Sequence, residues 1–172
     1  MVVQSRSFYI FVTNRKKDKV MNRSDIIKEL GSYFDLQELV GPKEYGRDKN
    51  LCWRYFRTEL LHTLLVVRRD ILKTPMTVNN WNTGGSFSQR GFRSNISDIV
   101  KKKTVAGDLY ISAHSLGCAV DFDAKGMSAE EARSKIISNK NLLPYPIRLE
   151  KGVTWVHLDT YDSGNGDKVT LF

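Results

Sequence analysis

Apolar residues recur along this chain at two periods, and the switch between them sets the expected architecture. Trp53, Phe56, Leu60, Leu64, Val67 and Ile71 fall three or four apart. That stripe predicts one helix from 51 to about 72, stopped by Thr74-Pro75. Upstream, Ser24 is placed to cap a helix reaching about residue 33. Residues 34–40 add a further turn, and Gly41-Pro42 breaks it. Ahead of these, 7–13 reads as a strand and 14–19 as a polar turn. From Met76 onward strands predominate, at 76–81, 108–112, 118–122, 153–160 and 168–172. The last two are joined as a hairpin through Gly164-Asn165-Gly166-Asp167. Between them lie a glycine-rich loop (84–91), a short helix capped by Ser94 and running to about 101, and a loop at 141–146 fixed by Pro144 and Pro146. Ser128-Ala129-Glu130-Glu131 is a capping box, so 129–138 is expected to be helical. Helices lead and strands follow, which predicts an α+β fold with a small mixed or antiparallel sheet flanked by helices.

With 172 residues the chain is one domain, and an apolar fraction of 41% suits a folded core rather than a disordered polymer. Residues 1–33 are expected to form an N-terminal strand–helix extension to the domain at 34–172. Cys52 and Cys118 are too few for a disulfide framework and are expected as buried free thiols. An excess of 27 basic over 19 acidic residues gives a net charge of +8 and favours anionic partners. The basic residues cluster at Arg15-Lys16-Lys17, Arg68-Arg69 and Lys101-Lys102-Lys103, positions that also suit solvated turns and helix ends. No apolar run approaches the ~20 residues of a membrane span, and no signal peptide stands at the start, so no membrane association and cytoplasmic synthesis are expected.

Chemistry concentrates in Ser112-Ala113-His114-Ser115-Leu116-Gly117-Cys118-Ala119-Val120-Asp121, where a histidine and a carboxylate stand seven residues apart with a glycine between. A tight turn at 115–117, which Gly117 permits, brings His114 and Asp121 together. His157 follows in the strand-like run Trp155-Val156-His157-Leu158-Asp159. Period two puts Trp155, His157 and Asp159 on one face, so Asp159 can enter the site or hold the other nitrogen of the His157 ring. Two histidines and a carboxylate make a metal-ligand set of the kind a catalytic zinc takes; iron(II) also accepts it. His62, the third histidine, sits off the apolar stripe and reads as partly buried and structural.

The pattern Ser-x-His-x-x-Gly-x-Ala-x-Asp, followed by a strand with Trp and His, resembles the M15 zinc peptidases. That family includes D-Ala-D-Ala carboxypeptidases and phage endolysins that cut peptidoglycan stem peptides. Ser112, His114, Gly117, Ala119 and Asp121 all match. Gly91-Phe92-Arg93-Ser94 stands where the family carries a substrate-binding arginine. The resemblance spans about 34–160 and implies a D-Ala-D-Ala carboxypeptidase or hedgehog-like fold. It implies Zn2+ held by His114, Asp121 and His157, with Arg93, Ser112 and Trp155 against the substrate. Many members place an acidic general base three residues before the last histidine, whereas this chain has Thr154. Asp159 and Glu150 are the candidates to stand in, with Asp123 a more remote third.

The expected function is therefore a zinc-dependent peptidase on peptidoglycan stem peptides, phage or prophage encoded, acting on the bacterial wall after release. The expected protein is a monomer with affinity for anionic wall polymers. The alternative is a catalytically inactive metal-binding relative with a structural or interaction role in a virion, for which Thr154 speaks. A nucleic-acid binder is disfavoured, because the aromatic residues fall on core stripes rather than among the basic clusters.

Overall fold

A computed structural model describes residues 21–161 and 164–172. The strand expected at 7–13, the turn at 14–19 and the Arg15-Lys16-Lys17 cluster lie outside them. The described chain is α+β: short helices lead, and a five-stranded mixed sheet follows. No described helix is long and apolar enough to cross a membrane.

The helical part is more broken than its apolar stripe suggests. Helix α1 (Arg23–Leu30) is capped by Asn22, whose side chain accepts the Asp25 N–H at 3.0 Å, and not by Ser24, which lies inside the helix. Asp35 and Glu38 close a capping box on the single turn α2 (Leu36–Leu39). Pro42 separates it from the next helix as expected, but does so by opening α3 (Pro42–Asp48) at its first position, where the missing N–H costs nothing. The helix expected over 51–72 is three pieces: a 3-10 segment (Lys49–Tyr55), α4 (Thr58–Val66) and a wider π-helical turn (Val67–Leu72). The break has a tertiary cause. Arg57 directs its backbone N–H to Gly117 O at 2.9 Å instead of into a helix. At the break the Arg23 guanidinium donates to the Trp53 and Phe56 carbonyls at 2.7 and 2.9 Å. Phe56, Leu60, Leu64, Val67 and Ile71 nevertheless stay buried in one core with Ile26 and Leu30 of α1.

The sheet runs β1-β2-β4-β3-β5, with strands Met76–Thr77, Ala119–Ala124, Ile147–Leu149, Val156–Asp159 and Val169–Leu171 numbered in chain order. All neighbours are antiparallel except β3 and β5. Four expectations fail here. The strand at 76–81 shrinks to two residues, because Asn79 turns its backbone N–H to Glu38 O. Residues 108–112 form no strand, and Leu109 and Ile111 face solvent. The helix expected from Ser94 becomes α5 (Asp98–Val105), since Ser94 bonds Glu44 instead of capping. The hairpin between β4 and β5 is also absent: β2 and β3 already fill both edges of β4, so β5 adds to the open edge of β3. Strand β3 itself was not foreseen. Helix α6 (Ala129–Ser138) forms with its capping box as expected and packs against β2 and β4. Both cysteines are buried free thiols.

Candidate metal centre

In β2, Val120 and Phe122 point into the core, so Asp121 faces the other way; in β4, His157 and Asp159 share the corresponding face. The register sets Asp121 directly opposite His157 and Ala119 opposite Asp159. One residue further across the sheet, Arg148 of β3 stands opposite Asp159. A single sheet face thus carries Asp121, His157, Asp159 and Arg148 before any loop contributes.

His114 comes from the turn at 113–117, not from the end of a strand. That turn bonds to itself, Cys118 N–H to Ala113 O at 2.8 Å and Gly117 N–H to His114 O at 3.2 Å. Gly117 has φ +68, and a Cβ there would stand 1.9 Å from Tyr55 O, so the turn requires glycine both for its backbone and for its docking at the interrupted helix. A similar closeness applies at Gly91, where a Cβ would fall 1.8 Å from Leu39 O.

The donor atoms converge. His157 Nδ1 lies 2.7 Å from Asp121 Oδ1 and 3.3 Å from His114 Nε2. His114 Nε2 is 3.3 Å from Asp121 Oδ2. The three residues offer ligand atoms all within 4.8 Å of one another, and His114 and Asp121 are buried. The remaining ring nitrogens face acceptors. His114 Nδ1 is 2.8 Å from Gly91 O, and His157 Nε2 is 3.0 Å from Asp159 Oδ2. A carbonyl can only accept, so His114 donates from Nδ1, which leaves Nε2 as the ring atom facing Asp121 and His157. The Asp159 carboxylate holds a proton on His157 Nε2 in the same way.

Electrostatics at the point of convergence favour positive charge. Burial pushes the Asp121 carboxyl up, but the two imidazoles hold it well below the usual carboxylate range. Burial pushes His157 down, yet Asp121 and Asp159 hold it up at about 9. A proton on Nδ1 can bridge His157 to one neighbour only, whereas a divalent cation takes all three electron pairs. The cluster therefore fits a metal ion.

The site lines a cavity of about 480 Å³ whose walls include Arg93, Ser112, Glu150, Trp155, Tyr161 and Phe172. Arg93 donates to Asp121 Oδ2 at 2.7 Å and to Gln89 O at 2.6 Å, so it balances the Asp121 carboxylate while lining the cavity. Ser112 lines the wall and also accepts the Ser115 hydroxyl on its carbonyl at 2.9 Å. The Trp155 carbonyl is held by Arg133 at 2.9 Å. Glu150 lines the cavity, and its carboxylate has no hydrogen-bond or ion-pair partner among the described residues. Asp159 is fully buried with both oxygens engaged by Arg148 at 2.9 Å, by His157, and by the Tyr161 N–H at 2.9 Å. Burial raises its pKa, but these partners hold it below the ordinary value. Asp123 pairs with Arg90, away from the cavity. His62 is half-buried with its ring edge to Tyr145.

Several contributing groups carry little signal in the sequence. Glu44 is buried and accepts the Ser94 and Ser97 hydroxyls at 2.5 and 2.7 Å, anchoring the segment that carries Arg93. Gly91 contributes through a backbone carbonyl, which no side-chain pattern reports. Arg148 had a usable signal: Ile147-Arg148-Leu149 alternates apolar and polar between Pro146 and Gly152. Comparison of the chain with known protein families, with curated proteins and with solved structures finds no match.

Proposed function

We propose that this protein is a zinc-dependent peptidase of the M15 type, hydrolysing bacterial peptidoglycan stem peptides. One observation carries the reading: His114 Nε2, Asp121 and His157 Nδ1 converge on the wall of an open cavity, with the opposite ring nitrogens tied off by Gly91 O and Asp159. The α+β sheet beneath them is compatible with a D-Ala-D-Ala carboxypeptidase or hedgehog-like fold.

Bound at this cluster, zinc would supply Lewis acidity to a scissile carbonyl and its attacking water. The chain provides the rest. Glu150 is the general base, because it faces the cavity with its carboxylate unengaged while both oxygens of Asp159 are taken. It accepts a proton from the attacking water and passes it to the departing amine as the peptide C–N bond breaks. Arg93 balances the charge of Asp121 and, with Nη1 also 3.4 Å from the Tyr110 hydroxyl, faces the cavity where the substrate is bound. Trp155, Phe172 and Ile111 provide apolar wall against which a peptide lies. In this reading the protein is made in the cytoplasm of a phage-infected or prophage-bearing cell and reaches the wall on release. Its net charge of +8 favours anionic wall polymers.

A second reading, a metal-binding protein without catalysis, draws on Thr154, which is exposed and outside the cavity lining. Digestion of purified peptidoglycan separates the two. Zinc-loaded wild type is expected to release new amino termini or free D-Ala. Glu150→Gln is expected to lose a factor of about 10²–10⁴ in rate while keeping its metal. Wild type that binds zinc and cleaves nothing leaves the inactive reading.

A further inference from the structure

Arg148 has no part in the reaction proposed above, yet it is held on three sides. Its Nε and Nη2 donate to Asp159 Oδ1 and Oδ2, both at 2.9 Å. Its guanidinium carbon stands 5.1 Å from the Tyr161 ring centroid and 4.8 Å from that of Phe172. A two-pronged contact fixes the plane of a carboxylate as well as its position, and the two rings fix the plane of the guanidinium in turn. The carboxylate so fixed meets His157 Nε2 at 3.0 Å, on the ring edge away from the convergent Nδ1. Strands β3 and β4 are joined by backbone pairing at this same register, so Arg148 is not needed to hold them together.

We propose that Arg148 is a positioning residue for the metal centre: by clamping Asp159 between its own fork and the Tyr161 N–H, it fixes the tautomer and tilt of His157 so that Nδ1 faces His114 and Asp121. The inference rests on the metal reading of those three residues. It makes a prediction opposite in sign to simple electrostatics. Removing a cation from the neighbourhood of a metal ion would tighten metal binding if only Coulomb repulsion mattered. A lost clamp loosens the binding, because the imidazole must then be ordered by the ion itself.

The test compares zinc affinity, by competition with a chelating dye, and the visible spectrum of the cobalt(II)-loaded protein, which reports ligand geometry without any activity assay. Arg148→Gln, which loses charge and fork together, is expected to weaken zinc binding where Coulomb repulsion alone predicts tightening. Arg148→Lys keeps the charge and loses the fork. It is expected to bind zinc about tenfold more weakly, with a displaced cobalt spectrum and an unchanged fold by circular dichroism. In an Asp159→Asn background the same substitution is expected to add less than about twofold, since the route to His157 is already cut. Should replacement of Arg148 prevent folding, Tyr161→Leu changes a residue that is itself 46% exposed, removes one wall from the Arg148 guanidinium and retains the backbone N–H to Asp159. Its expected effect is about two- to fivefold weaker binding. Folded Arg148→Lys with wild-type affinity and spectrum, or either Arg148 variant with tighter binding, overturns the inference and leaves the metal site standing. Wild type that takes up neither zinc nor cobalt overturns the metal reading, and the inference with it.

Discussion

The two histidines of the site reach the same point by different means. His114 is carried on a five-residue turn, and its outer nitrogen is held by a backbone carbonyl, Gly91 O. His157 is carried in a paired strand, and its outer nitrogen is held by a side chain, Asp159, itself held by Arg148. A backbone holder cannot be removed by substitution, but it depends on two places where chain passes chain too closely for a Cβ. A side-chain holder sits on a robust strand and is open to replacement. The His114 half should therefore fail through its glycines, and the His157 half through its charges.

The largest expected effect is at Gly117. Alanine there meets both a positive φ and the Tyr55 carbonyl. A strained residue of this kind costs about 1–3 kcal/mol before the clash is counted. Gly117→Ala should lower the melting temperature by several degrees and abolish metal uptake together. A variant that melts early yet binds zinc normally would show that the turn is not what places His114.

Asp159→Asn probes the other half. The amide keeps the shape and loses the charge, and zinc affinity should fall about 10- to 100-fold as measured by chelator competition. A loss no greater than twofold would mean that His157 is ordered by its strand alone, and the contrast between the halves would collapse.

The smallest effect is on pH dependence. With His157 held at about 9 in the metal-free protein, the proton on Nδ1 must leave when an ion arrives. Affinity should therefore rise about tenfold for each unit between pH 7 and 8, and fall as pH is lowered. A flat response would place the proton, or the metal, elsewhere.

The same contrast explains what the sequence made legible. His114, Gly117 and Asp121 could be read because a turn is local, so spacing and glycine report it directly. His157 and Asp159 could be read because a strand alternates. The holders were harder. Gly91 acts through an atom that every residue possesses, and Arg148 sits on a three-residue strand whose partner is chosen by which sheet edge remains open. The apolar stripe over 53–71 was real, but it persists through 3-10, α and π geometry alike. Burial sets the stripe, whereas the hydrogen bond from Arg57 to Gly117 O sets the break. Where local pattern and tertiary contact agreed, as at the capping box before α6, element and boundary were both foreseen.

The most direct test of the central claim is the metal content of the purified protein after incubation with zinc and removal of excess, measured for wild type, His114→Ala and His157→Ala. The account predicts one zinc per chain in wild type and none in either variant, with all three folded. A wild type without zinc, or variants that retain it, would contradict the assignment of His114, Asp121 and His157 as a metal centre.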